Sequence, residues 1–192
     1  MREIGRIEFV QVQSDPLKAT VDGVHIYLPT PLLHVESLKL TPDGIFGITT
    51  EGDEVIDAHH AHHPKSRHRG INGISLGFIH HYDAMRDRFG AHLVEGIAGE
   101  NIIVRAFEDA LPLNLGDTLY IRCQAGNLIQ LDEVMVATPC NEFSRFCAGQ
   151  DIQAAELKAT LQFLGDGRRG YYATLNGPLC TIHPGDTLLS VD

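Results

Sequence analysis

Apolar and polar residues alternate from Ile4 to Gln13, the period-two pattern of a half-buried strand. The same reading predicts strands over Val21 to Leu28, Val35 to Leu40 and Gly44 to Thr49, with Pro42-Asp43-Gly44 as a turn between the last two. Ile71 to Ile79 is β-branched and apolar with glycines interspersed, as expected of a buried strand. The period then changes: Tyr82, Met85 and Phe89 fall at helical spacing within His81 to Leu93, and Gly90 can end that helix. Strands resume over Ile102 to Ala106, Thr118 to Cys123 and Leu128 to Thr138. Asn141 to Phe146 and Ile152 to Leu164 are predicted helices, and Tyr171 to Leu175 and Thr187 to Val191 close the chain as strands.

Leu115-Gly116-Asp117-Thr118-Leu119 is echoed by Pro184-Gly185-Asp186-Thr187-Leu188, a Gly-Asp turn delivering the chain into an apolar strand in both places. Many short strands joined by tight turns predict a mainly β chain of the barrel kind with a few peripheral helices. Nineteen glycines and nine prolines agree with that, and 192 residues suffice for one sizeable core, so a single domain over residues 1–192 is expected.

The formal net charge of −10 argues against a nucleic-acid partner, whose binders carry a basic field. No apolar run approaches the roughly 20 residues needed to span a bilayer. The first residues, MREIGRIEFVQVQ, lack the apolar core of a signal peptide, so a cytoplasmic location is expected. The cysteines, Cys123, Cys140, Cys147 and Cys180, form no CxxC pair and are expected to be reduced thiols.

Cys140 stands out. Pro139 disfavours helix at Thr138, and Asn141 is a good N-cap, so the sulfur falls at a strand-to-helix junction, where the helix N-terminus favours a thiolate. Arg145 is close enough in sequence to add to that effect. Such a sulfur can act as nucleophile, persulfide carrier or soft-metal ligand, or be a small buried hydrophobe. Cys147, two turns further on, is a candidate relay thiol or a core residue.

From Ala58 to Tyr82 there is no Asp or Glu, while the window holds His59, His60, His62, His63, Lys65, Arg67, His68, Arg69, His80 and His81. Lys65, Ser66, Arg67 and Arg69 form a compact set of donors suited to a phosphate, with Gly70 and Gly73 allowing close backbone approach. The His59 to His63 tract reads first as a solvated loop. A zinc site is the alternative, though it would lack the usual carboxylate support.

Three separated motifs then coincide with one family. They are Gly96-Ile97-Ala98-Gly99-Glu100-Asn101-Ile102 followed by Pro112-Leu113-Asn114-Leu115-Gly116-Asp117; Thr138-Pro139-Cys140; and Arg169-Gly170-Tyr171-Tyr172-Ala173 with Pro184-Gly185-Asp186. In order and spacing they resemble the MOSC domain, named after the C-terminal domain of molybdenum cofactor sulfurase, over about residues 40–192. The resemblance implies a closed β-barrel and association with molybdenum cofactor (molybdopterin). It also implies that Cys140 is a sulfur carrier or molybdenum ligand, in sulfur transfer or in reduction of N-hydroxylated compounds, with a redox or sulfur-donor protein as a possible partner. Pyridoxal phosphate belongs to this family's annotation only because some relatives are fused to a desulfurase that uses it, and this sequence holds no motif for that domain.

Two features depart from the family pattern. Val136, Ala137 and Thr138 stand where many relatives carry an arginine, and Gly52-Asp53-Glu54…His59 replaces a Gly-Asp-x-His stretch. On this reading Lys65, Ser66, Arg67 and Arg69 hold the pterin phosphate, Gly99, Glu100 and Asn101 line the pocket, and Arg145 supports Cys140. The competing functions are a non-catalytic module binding a small anion or a partner protein, and a zinc protein using His59, His62 or His63.

Overall fold

The computed structural model describes residues 1–108 and 115–191, so the Pro112-Leu113-Asn114 part of the first motif lies outside the described residues. Seventeen elements follow the chain in this order: β1 (Arg2–Gln13), β2 (Lys18–Val21), β3 (Val24–Tyr27), β4 (Leu32–Val35), β5 (Ser37–Thr41), β6 (Gly44–Ile48), β7 (Glu54–Ile56), β8 (Ile74–Phe78), α1 (Ile79–Phe89), β9 (Ile102–Ala106), β10 (Leu119–Arg122), β11 (Leu128–Val136), α2 (Asn141–Ala148), α3 (Ala154–Gly165), β12 (Tyr171–Asn176), β13 (Cys180–Ile182) and β14 (Thr187–Ser190). The mainly β fold expected from the sequence is therefore present.

Seven strands close on themselves in the order β1-β14-β10-β11-β12-β8-β9 and back to β1. All pairs are antiparallel except β8 with β9. Parallel neighbours need a crossover, and the segment containing α1 supplies it. β1 is long enough to pair with β14 and β9 along the barrel and then with β4 at its far end. A second antiparallel sheet, β13-β5-β6-β7, packs beside the barrel, and β2 and β3 form a separate hairpin.

Period-two alternation decides which layer each side chain joins. Ile74, Leu76 and Phe78 of β8 and Ile102 and Val104 of β9 fill the barrel with Ile7, Val10, Leu119, Ile121, Leu131 and Leu188. Ile103 points the other way into a second core with Tyr82, Met85, Leu93, Phe143 and Leu164, which seats the helices. The barrel lumen is thus occupied by side chains, and any ligand site has to lie outside it.

Several elements differ from the sequence reading. Val21 to Leu28 is not one strand: Asp22 (φ 49°) and Gly23 turn the chain, so residues from Lys18 onward form a hairpin with Lys18 opposite Tyr27. β7 and β13 are short strands that the pattern does not single out. The Gly-Asp echo has a physical basis, since β10 and β14 are neighbours and the Asp186 carboxylate accepts the amides of Gln124 (3.0 Å) and His183 (2.8 Å).

α1 carries an unusual cost. His81 is fully buried against Phe78, Tyr171 and His80, and neither of its ring nitrogens has a hydrogen-bond partner among the described residues. Burial, with His80 and Arg168 nearby, pushes the ring down to about 3 from the ordinary 6.5. A depressed histidine pKa means that the unfolded chain binds the extra proton, so stability is full above pH 6.5 and falls as pH drops from 6.5 towards 3. Between pH 7 and pH 4 the loss through this residue is expected to be about 3 kcal/mol. Between pH 7 and pH 4 the urea midpoint of wild type should fall by more than that of His81→Leu, and parallel losses would refute the assignment.

Candidate functional site

A cavity of about 780 Å³ lies beside the barrel where the β2–β3 hairpin, the 57–72 loop and the start of α2 meet. Its wall includes Cys140 and Pro139, Ser66, Arg67 and Arg69, and also Lys18, His25, His59, His68, Glu142, Arg169 and Tyr172. The sulfur and the cationic loop, more than 70 residues apart in sequence, face one space.

Cys140 is itself the cap of α2. Its backbone is extended (φ −108°, ψ 158°), and Sγ accepts the amide of Phe143 at 3.5 Å. This corrects the expectation that Asn141 caps the helix: Asn141 is the first helical residue, one position inside. The extended backbone of Cys140 turns the thiol towards the first free helix amides and leaves it half-buried on the cavity wall. Lys18 reaches the same place from the hairpin, 3.0 Å from Glu142. Burial lowers the Lys18 pKa, but the neighbouring Cys140 sulfur and the Glu142 carboxylate outweigh it, so the ammonium is held above its ordinary range.

The cationic loop is built on a buried carboxylate. Asp57 is fully buried, and one oxygen accepts the amide of Gln13 (2.7 Å) and the Asn101 side chain (2.9 Å), while the other accepts the amide of His59 (2.8 Å). The His59 to His63 tract is accordingly not the solvated loop expected from sequence. His60 and His63 are buried, and each Nδ1 accepts the backbone amide two residues on, His62 at 3.1 Å and Lys65 at 3.0 Å. These histidines serve as turn acceptors. Among the described residues no three His, Cys, Asp or Glu side chains are grouped to hold a metal, which removes the support for a zinc site at His59, His62 and His63.

Not every expected site residue is on the wall. Lys65 turns away to Asp15 at 2.6 Å. Arg145 is spent on the carbonyls of Gln150 (2.6 Å) and Ile152 (3.3 Å), where it closes the loop after α2, so it does not support the thiol. Gly99, Glu100 and Asn101 lie behind the wall and not on it. Gly99 is packed against Leu17 and Gln13, and its carbonyl accepts the Gln13 side chain at 2.7 Å. Asn101 joins Ser75 (2.7 Å) to Asp57 and is a structural strut. Gly73, expected to admit a ligand, admits the backbone of Gly44. Ser66 does line the cavity, its hydroxyl donating to the His60 carbonyl at 2.9 Å. Arg67 and Arg69 are exposed at the wall, and their side chains have no ionic or hydrogen-bond partner among the described residues.

Glu100 is buried beneath Arg169. Tyr82 donates its hydroxyl to Oε2 at 2.5 Å, and Arg169 approaches Oε1 at 3.8 Å. Burial pushes the Glu100 carboxyl up, and Arg169 and Tyr82 only partly offset it. Two glycines make the chamber possible. A Cβ at Gly77 would sit 2.8 Å from Oε1, and one at Gly170 would sit 2.5 Å from the Leu76 carbonyl, at a φ of +103° that disfavours any other residue. The Gly170 carbonyl accepts the amide of Ala137, so the Arg169 turn is tied to the strand end that delivers Cys140. Arg169, Lys18 and His25 are among the wall residues not singled out as site residues in the sequence. The Arg169-Gly170 pair is the local signal for the first, while Lys18 and His25 arrive only through the hairpin.

No family model and no curated protein matches this chain. Among solved structures it is similar to the YuaD protein from Bacillus subtilis, at 15% identity and a TM-score of 0.59, over 98% of this chain and 96% of that one. A hypothetical protein of known structure is similar at 16% identity and a TM-score of 0.56, over 100% of this chain and 69% of that one. At such identities the likeness extends to the fold alone.

The four thiols should separate by reactivity. Burial pushes Cys147 up to about 12 and Cys180 up to about 11, and it raises Cys123 as well. Under limiting iodoacetamide at pH 7.5, peptide mass spectrometry is expected to find Cys140 carboxamidomethylated first and Cys147 last. Labelling of Cys147 or Cys180 ahead of Cys140 would contradict the geometry.

Proposed function

We propose that the cavity binds a phosphate-bearing ligand, molybdopterin in the form implied by the MOSC resemblance, and that Cys140 presents its sulfur to that ligand. The protein then acts in sulfur transfer or in molybdenum-dependent reduction of N-hydroxylated compounds. The observation that carries this reading is the shared cavity of Cys140 with Arg67 and Arg69. Its volume of about 780 Å³ is in the range of cofactor sites. Two guanidiniums without protein partners are a natural phosphate cradle, because each can give paired N–H donors to one phosphate. A half-buried thiol on the same wall is a soft ligand for molybdenum or a seat for a persulfide.

The donor set fits the cofactor at these two ends: Arg67 and Arg69, with Ser66 between the loop backbone and the wall, would hold the phosphate, and Cys140 would face the metal end. Lys65 is not part of the cradle. When bound, the cofactor supplies a redox-active metal able to take a thiolate ligand. The protein's own part is to fix the phosphate, exclude water with the β2–β3 hairpin and hold the Cys140 sulfur in place.

Protein purified from a molybdenum-replete host is expected to carry molybdenum and a fluorescent oxidised pterin in comparable amounts. Arg67→Glu/Arg69→Glu should lose both, and Cys140→Ser should lose molybdenum with less effect on pterin. Wild type free of both and indistinguishable from Cys140→Ser would overturn the proposal and leave a module that binds small anions.

A further inference from the structure

The phosphate cradle at the cavity rim leaves Arg169 without a role. Its side chain is only 13% exposed, and its ionic partner among the described residues is Glu100 at 3.8 Å, beyond hydrogen-bond reach. Glu100 Oε1 likewise has no hydrogen-bond partner among the described residues. A buried ion pair normally closes until donors and acceptors are matched, because each unmet group costs free energy. Here Glu100 neutralises Arg169 without using up its N–H groups, and Arg169 borders the cavity. The guanidinium also lies over the Phe143 ring, 5.3 Å from its centroid, and the Phe143 amide is the one that donates to Cys140 Sγ. The free donors and the sulfur are therefore organised by one residue.

We propose that Arg169 anchors an oxyanion beside Cys140, and that the ligand class is a thiosulfonate, of which thiosulfate is the simplest member. The inference rests on the sulfur-carrier branch of the reading above and names its donor. The Cys140 thiolate attacks the outer, sulfane sulfur of thiosulfate. The sulfur–sulfur bond of the donor breaks, and sulfite departs with the bonding electron pair. A new sulfur–sulfur bond leaves Cys140 as a persulfide. Sulfite leaves as a stable dianion, so the step needs a cation to hold the oxyanion and no general acid. The wall agrees with that demand, since its one carboxylate among the described residues, Glu142, is already paired with Lys18. Arg169 acts directly on the donor, and Glu100 is a positioning residue that holds the guanidinium outward.

The experiment mixes reduced protein with thiosulfate and follows sulfite release, the mass gain of one sulfur on the Cys140 peptide, and thiocyanate formed when cyanide is added. Wild type should release one sulfite per chain, and Cys140→Ser none. Arg169→Gln should lower the second-order loading rate on the order of a hundredfold, and Arg169→Lys by less. Alkylation by uncharged iodoacetamide, which needs no anchor, should fall far less in Arg169→Gln than thiosulfate loading does, which separates anchoring from a folding defect. Equal losses in both reactions, or thiosulfate loading unaffected by Arg169→Gln, would overturn the anchor. Hydropolysulfide serves as a donor without an oxyanion. Loading by hydropolysulfide but not by thiosulfate would refute the thiosulfonate proposal and keep the sulfur-carrier reading, and loading by neither would refute both.

Discussion

A carboxylate removed from water must be met by charge or by hydrogen bonds, and two of those this protein buries, Asp57 and Glu100, lie back to back across residues 100 and 101. Asp57 is met by hydrogen bonds from the Gln13 and His59 amides and from Asn101, with the His59 ring Nδ1 at 3.3 Å. Those bonds fix where β1 ends and where the cationic loop begins. Glu100 is met by a tyrosine hydroxyl and by a guanidinium that stops short of it. The first solution makes a rigid wall, while the second leaves a charged group able to bind something else. The difference follows from the outward face of β8, where Ser75 supports Asn101 and Gly77 makes room for Glu100.

The barrel was legible because its strands obey a period of two with one face in the core. Ile102 and Val104 alternate with Ile103, and both sets are apolar only because helices cover the outside. α1 was legible from Tyr82 and Met85, which face the second core. The hairpin was not, since alternation across Val21 to Leu28 looks the same whether or not the chain turns, and only the Asp22-Gly23 pair signals the reversal. That single turn hid the arrival of Lys18 and His25 at the cavity.

The site was legible in part for a similar reason. Proline before Cys140 acts locally, so the junction could be placed from sequence, although the cap falls one residue earlier than the side-chain preference of asparagine suggests. Composition could show that the 58–82 window is cationic, but not which cations face inward. Lys65 and Arg67 are two residues apart on one loop, and Asp15 draws the first away. The histidines read as a solvated loop in sequence, yet His60 and His63 are buried and spent on amides because a loop folded over a buried aspartate needs acceptors of its own.

The position of Cys140 at a cap has a consequence for any sulfur chemistry. A thiol that accepts the Phe143 amide sits where the helix N-terminus favours negative charge, and the same holds for any anionic sulfur built on it. A persulfide places its charge one atom beyond Sγ, in the cavity that Arg169 also borders, and the Arg169 guanidinium lies over the Phe143 ring. Lys18 stands at the same wall, paired with Glu142. A cap beside an arginine with unfilled donors, in a chain of net charge −10, also selects the charge of what approaches it.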